Sequence, residues 1–176
     1  MTEQEFLMIK HSVHYKLYRD MIHTQDHGIV KTKKYAPAWI DVSCKMAKKS
    51  IYACVGDEHL CVYRGLMPQL MNPDMRVKLL FNKWPSDIND IMMVSMLMQA
   101  GKAKVCKTDP NWVEYLSVDT KGFLLHYDQH KYYLSANNFN IAKKINEIVT
   151  EKWCHPTHII THAPINPFEQ IRSRQK

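Results

Sequence analysis

Short segments in which apolar and polar residues alternate occur in runs along this chain, and only a few helix-like segments separate them. Apolar residues at every second position are typical of a half-buried strand, whereas recurrence every three or four residues is typical of a helix. Strands that follow one another through short turns pair antiparallel, because a parallel pair needs a long crossover connection. The sequence therefore predicts an α+β fold, with antiparallel sheets of short strands packed against three helices.

Three segments have the periodicity of helices, namely residues 2–24, 86–100 and 139–153. Ser86 is predicted to cap the second helix, and Gly101 is predicted to end it. Alternation predicts strands at residues 38–46, 51–55, 60–63, 75–81, 103–107, 112–118, 123–127, 132–135 and 157–161. The strands at 51–55 and 60–63 form a predicted hairpin, and residues 64–73 are predicted to be a loop.

The length of 176 residues predicts one compact domain, residues 1–176, with a short basic tail that carries Arg172, Arg174 and Lys176. The amino terminus lacks the basic start and apolar run of a signal peptide. The longest apolar stretch of the chain is too short to span a bilayer, so a cytoplasmic or nuclear location is expected. The five cysteines are an odd number, and we expect reduced, mostly buried thiols.

The positive charge is unevenly spread over the sequence. The formal net charge is +7, and much of the excess lies between residues 31 and 49, where Asp41 is the only acidic residue. The lysines of this segment are Lys31, Lys33, Lys34, Lys45, Lys48 and Lys49. They are candidates for binding an anionic partner, which would be nucleic acid, an acidic lipid surface or an acidic protein. The ordinary alternative is that these lysines keep the protein soluble and protect an edge strand.

Two tyrosines extend this hypothesis. In the predicted hairpin, Tyr52 and Tyr63 share the outer face, close to Lys48 and Lys49. Aromatic rings beside lysines are typical of platforms on which nucleic-acid bases stack. Aromatic pairs across neighbouring strands also stabilise sheets without any ligand.

An enzymatic alternative comes from Asp109, Glu114, Asp119 and Lys121. A carboxylate followed at a distance by an Asp-x-Lys triplet resembles the metal-binding pattern of PD-(D/E)xK nucleases, in which carboxylates bind the metal that activates water. An upstream histidine, His23 or His27, could complete the set. Both segments are also ordinary turn sequences, because Asp, Asn, Pro and Gly dominate them.

Cysteines and histidines near the third helix raise the question of a metal site. These residues are Cys154, His155, His158 and His162, with Cys54, His59 and Cys61 as further ligands on the predicted hairpin. No C-x-x-C pair is present, and Pro156 interrupts helical spacing. The sequence predicts no metal or cofactor, although it does not settle whether residues 154–162 bind an ion. A two-histidine phosphoesterase and a cysteine nucleophile each lack a second partner at suitable spacing.

The sequence thus favours a non-enzymatic basic binding or structural protein that meets an anionic partner. Its size, basicity and mixed order of short elements suit a small viral matrix-like or accessory protein, although no motif carries that resemblance. The alternative is a metal-dependent nuclease, or another phosphodiester-cleaving enzyme, that uses Asp109, Asp119 and Lys121. Catalytic residues, the identity of the partner and self-association stay open.

Overall fold

The structure is a computed structural model. It describes residues 35–106, 112–128 and 131–154, the short segments 29–30 and 159–160, and single positions between residues 4 and 19. The predicted first helix, 2–24, lies mostly outside the described residues. None of the described helices combines the length and the apolar composition that a bilayer-crossing helix needs.

One mixed sheet organises the chain. Its strands are β1 (Ile29–Val30), β2 (Ser50–Val55), β3 (Arg76–Phe81), β4 (Ala103–Cys106), β5 (Tyr115–Val118), β6 (Gly122–Asp128), β7 (Lys131–Ser135) and β8 (Ile159–Ile160). They lie in the order β1-β7-β6-β5-β2-β3-β4-β8. The neighbours β2, β3 and β4 pair in parallel, whereas all other neighbours pair antiparallel. Six longer strands therefore form the body of the sheet, and two strands of two residues lie at its edges.

Helices cover both faces of this sheet. They are α1 (Tyr35–Met46), α2 (Leu60–Gly65), α3 (Met67–Leu70), α4 (Ile88–Gln99) and α5 (Phe139–Cys154). Helices α1 to α4 pack on one face through Trp39, Tyr63 and Leu97, which meet Ile51 and Ala53 of β2 in one buried cluster. Helix α5 covers the other face, where its buried residues Ala142, Ile145 and Val149 meet Cys54 and Leu80. Successive residues of β2 thus alternate between two cores, as a strand covered on both faces requires.

The structure is α+β, but the predicted antiparallel sheet with three helices is wrong. The strand predicted at 38–46 is the greater part of α1. Its alternation is misleading because Trp39, Ile40, Asp41, Val42, Ser43 and Cys44 are all buried, so this helix lacks the exposed polar face from which a helical period could be recognised. Pro37 lies in the first turn of α1, where a proline is tolerated.

The predicted hairpin is also wrong. After β2 the chain makes a single 3-10 turn at Asp57–His59 and continues into α2. Because β2 pairs in parallel with β3, the chain must cross over a face of the sheet, and α2 and α3 provide that crossover. The predicted loop at 64–73 therefore contains the end of α2 and all of α3.

The second half of the chain is closer to the prediction. Strands β3 to β7 and helices α4 and α5 are confirmed with small shifts of their ends, and β8 lies inside the strand predicted at 157–161. Helix α4 begins one residue later than predicted, because the Asp87 side chain, rather than Ser86, accepts hydrogen bonds from Asn89 N and Asp90 N. Gly101 follows this helix with a φ of 69°, as a left-handed stop requires.

Two glycines that both have open space around Cα but differ in backbone conformation test this assignment. We expect Gly101→Ala to lower the free energy of unfolding by about 1–2 kcal/mol, because an L side chain is strained at positive φ. Gly65 is the last residue of α2, has no positive φ, and a Cβ there meets no atom within 4 Å. Gly65→Ala is expected to raise stability by about 0.5–1 kcal/mol. Urea denaturation measures both, and a loss of stability in both variants would contradict the expectation.

Candidate anion-binding edge and a buried polar cluster

The Asp119 side chain joins two distant parts of the backbone. Its Oδ1 accepts hydrogen bonds from Lys49 N at 2.7 Å and Ser50 N at 2.9 Å, and its Oδ2 accepts one from Lys48 N at 2.9 Å. Asp119 has a φ of 53°, and aspartate is one of the few residues that adopt this conformation readily. These bonds fix the junction between α1 and β2 against the turn between β5 and β6.

Four exposed cationic side chains surround this junction. Lys48 and Lys49 lie on the segment whose backbone N–H groups bind Asp119, an arrangement that we call the Asp119 clamp. Lys121 follows Asp119 by two residues. Arg76 begins β3, and its backbone N donates to Lys49 O at 3.0 Å. We call these four residues the basic edge. They lie at one end of the sheet, where the first residues of β2 and β3 meet the last residue of β5.

Only two of the six lysines of the predicted segment, Lys48 and Lys49, belong to the basic edge. Lys31, Lys33 and Lys34 lie outside the described residues. Lys45 forms an ion pair with Asp41, in which Nζ and Oδ1 are 2.7 Å apart. Lys48 and Lys49 keep exposed side chains, and their role in anion binding stays a prediction. Arg76 was missed by sequence reasoning, because only the parallel register of β2 and β3 brings it beside Lys49.

The two tyrosines do not form one platform, because the hairpin that would carry them is absent. Tyr63 is fully buried in α2, on the face covered by helices α1 to α4. Tyr52 packs on the opposite face, beneath α5. Lys78 lies over the Tyr52 ring, with Nζ 5.4 Å from the ring centre, and also contacts Thr150 of α5 at 3.4 Å.

The structure places two carboxylates of the predicted nuclease pattern far apart. Glu114 and Asp119 flank the two ends of β5, about 16 Å apart along an extended chain. The Asp119 carboxylate already accepts three backbone N–H groups, and Asp109 lies outside the described residues, as do His23 and His27. The geometry therefore gives Asp119 a structural role and leaves Lys121 free to serve the basic edge.

Glu114 belongs instead to a buried polar cluster at the other end of the sheet. Its two carboxylate oxygens lie 2.8 and 2.9 Å from Nδ1 of His59, and both side chains are 3% exposed. The carboxyl group and the imidazole are thus hydrogen-bond partners in a site that excludes water. Gly56 provides the space, because a Cβ there would lie 3.1 Å from Glu114 Oε2.

Aromatic side chains enclose this pair. Tyr132 meets His59 edge-on, with ring centres 5.7 Å apart, and stacks on His126 at 4.6 Å. Burial, followed by the charge of Glu114, raises the pKa of the Tyr63 hydroxyl well above its usual value. Burial also raises the pKa of Tyr132, with Glu114 and Glu58 adding to the effect. The phenols therefore stay neutral, and His59, Glu114, Tyr63 and Tyr132 form a buried polar core, with the half-buried His126 beside it.

The Glu114–His59 pair should be a major support of this end of the sheet. We expect Glu114→Ala to lower the free energy of unfolding by about 3–5 kcal/mol, because His59 would lose its partner in a buried site. Glu114→Gln keeps an acceptor oxygen and should cost less. Glu147→Ala is the control, since Glu147 is exposed and pairs only loosely with Lys144 at 3.4 Å. Chemical denaturation that finds equal losses for Glu114→Ala and Glu147→Ala would contradict this role.

The described residues hold no group of three or more histidine, cysteine or acidic side chains arranged for a metal ion. Cys54 is buried beneath α5, whereas Cys61 and His59 lie on the other side of β2, where α2 begins. Cys154 is exposed at the end of α5, and the histidines predicted to accompany it, His155, His158 and His162, lie outside the described residues.

The cysteines separate into two reactivity classes. Cys44, Cys54 and Cys106 are buried, whereas Cys61 and Cys154 are exposed. Burial raises the pKa of the Cys54 thiol from 9.0 to about 12, and it also raises the pKa of Cys44 and Cys106. With Ellman's reagent at about pH 8, we expect two thiols to react quickly in the folded protein and all five after unfolding.

The raised pKa of Cys54 also predicts how the stability of the fold changes with pH. Because folding raises the Cys54 pKa, its neutral thiol supports the fold fully below about pH 9, and this support declines as pH rises toward 12. In the measurement with Ellman's reagent, fast reaction of more than two thiols in the folded protein would contradict the assigned burial of Cys44, Cys54 and Cys106.

No protein-family model matches this chain, and no curated protein is similar to it in sequence. Its fold is similar to that of TrmBL2, an archaeal chromatin protein whose structure shows a novel mode of DNA binding. The TM-score is 0.59 at 13% sequence identity, and the match covers 85% of this chain and 62% of that chain. The chain thus spans less than two thirds of the length of TrmBL2, and the likeness concerns the fold alone.

Proposed function

We propose that this chain is a nucleic-acid-binding protein that holds the phosphate backbone on the basic edge and acts by binding rather than by catalysis. The observation that carries the proposal is the convergence of Lys48, Lys49, Arg76 and Lys121. They come from three separate segments and lie at one end of the sheet with exposed side chains. The Asp119 clamp holds the backbone beneath them, so the site needs little ordering when an anion binds.

Phosphate is the group that such an edge fits best. Lysine ammonium groups attract it as point charges, and the Arg76 guanidinium can bind two of its oxygens at once. The similarity in fold to a chromatin protein that binds DNA supports nucleic acid over an acidic protein or a lipid headgroup as the source of that phosphate. A location together with nucleic acid, in a nucleoid or nucleus, follows from this proposal. The viral matrix-like or accessory role stays a prediction from the sequence.

A salt-dependent binding measurement tests the proposal. Binding of a fluorescent mixed-sequence DNA duplex is followed by anisotropy between about 50 and 200 mM salt. In the variant Lys48→Gln/Lys49→Gln, the clamp is kept because Asp119 binds backbone N–H groups rather than the lysine side chains. If both lysines contact phosphate, the slope of log K against log salt should become shallower by about 1.8, which is about 0.9 per contact.

The matched control is Lys83→Gln/Lys144→Gln, which removes the same charge elsewhere. Lys83 lies 2.7 Å from Asp57, and Lys144 lies 3.4 Å from Glu147, so each already has a carboxylate beside it. This control should bind DNA with the wild-type slope. Equal slopes for both double variants would assign any binding to net charge, and the proposed surface would then be wrong.

A further inference from the structure

An aromatic ring lies exposed at the start of α5. Phe139 is the first residue of this helix, and it is 58% exposed. The other large apolar side chains that are exposed among the described residues carry no ring; they are Met8, Met71, Met92, Met96 and Ile141. Phe139 is therefore the ring in the described part of the chain that is best placed to meet a planar partner from solution.

The start of α5 is tied to the turn that carries Lys121. Asn138 N donates to Lys121 O at 2.6 Å, and Asn146 Nδ2 donates to Thr120 Oγ1 at 2.9 Å. Phe139 and Asn146 are seven residues apart, so they lie two turns apart on one side of the helix. Phe139 thus lies on the side of α5 that faces this turn. Lys143, also exposed, lies between them on the same stripe.

The ring contributes little to the fold. The inner face of α5 is formed by Ala142, Ile145 and Val149, which fill the core against the sheet without Phe139. A helix can begin without an aromatic residue, and truncating a ring that is mostly in solvent leaves no internal cavity. Its removal is therefore a test of binding that does not compromise folding.

We propose that Phe139 stacks on an unpaired base of a nucleic acid whose phosphates lie on the basic edge, so that the chain prefers single-stranded over duplex nucleic acid. This inference rests on the proposed function. Each base has a π-face that an aromatic ring can cover, whatever the sequence. In an intact duplex those faces are covered by neighbouring bases, and separating a base step costs free energy. A single strand offers the same phosphates together with free base faces.

The test compares one DNA sequence as a single strand and as a duplex, using anisotropy at a fixed salt concentration. Phe139→Ala should weaken binding of the single strand by about tenfold and leave duplex binding nearly unchanged. Phe139→Trp should retain the preference, whereas Phe139→Leu, which is apolar but has no π-face, should lose it. Ile141→Ala is the matched control, because Ile141 is 40% exposed and points to the other side of α5.

The possible results separate this inference from the proposed function. If Phe139→Ala binds the single strand like wild type while Lys48→Gln/Lys49→Gln binds it weakly, stacking is wrong and the basic edge stands. If the wild-type protein binds neither form of DNA, both proposals fail. Vesicles of phosphatidylserine and phosphatidylcholine form a third arm. A Phe139→Ala defect on these vesicles but not on DNA would make the ring a membrane contact and overturn stacking.

Discussion

The three hydrogen bonds to the Asp119 carboxylate are the constraint on which the rest of this structure depends. They join residues 69 to 71 positions apart in the sequence and fix where β2 begins relative to the end of β5. The same turn holds α5 through Thr120 and the backbone of Lys121, so one aspartate positions the sheet, the helix on its second face and the cations at its edge. Charge-assisted bonds to backbone N–H groups are strong enough for this task.

Both carboxylates beside β5 hold the fold together. Asp119 satisfies backbone donors at one end of the strand, and Glu114 pairs with His59 at the other. Residue types that suggest a metal site in the sequence thus have structural partners, which are backbone N–H groups for Asp119 and a buried imidazole for Glu114. At the Asp119 end, the Asp119 carboxylate accepts backbone hydrogen bonds, while Lys48, Lys49, Arg76 and Lys121 have exposed side chains, with the exposed Asp74 in the turn before β3.

Local pattern predicted most of the strands and the longer helices α4 and α5, and it failed for helix α1 and the short helix α2. Helix α5 and strands β3 to β7 were predictable, since their periodicity is visible in the sequence. Helix α1 was not, because burial on every side removes its period, and the short helix α2 was hidden by an apolar run that also fits a strand. Lys48 and Lys49 were proposed from charge alone, and their role in anion binding stays a prediction. Arg76, Phe139 and the His59–Glu114 pair could be recognised only from the three-dimensional arrangement of the strands and helices, which a short stretch of sequence does not reveal.

The parallel half of the sheet also bears on how this chain is made. Strand β2 lies in the middle of the sheet, yet its antiparallel partner β5 and the Asp119 clamp come some 69 residues later. At about 5–20 residues per second, the ribosome needs roughly 3–14 s to supply them. During that interval one edge of an apolar central strand has no partner of its own. Nascent chains that remain in this state can pair with one another through the unpaired edge of β2. The yield of folded protein therefore depends on how quickly the second half of the chain emerges from the ribosome.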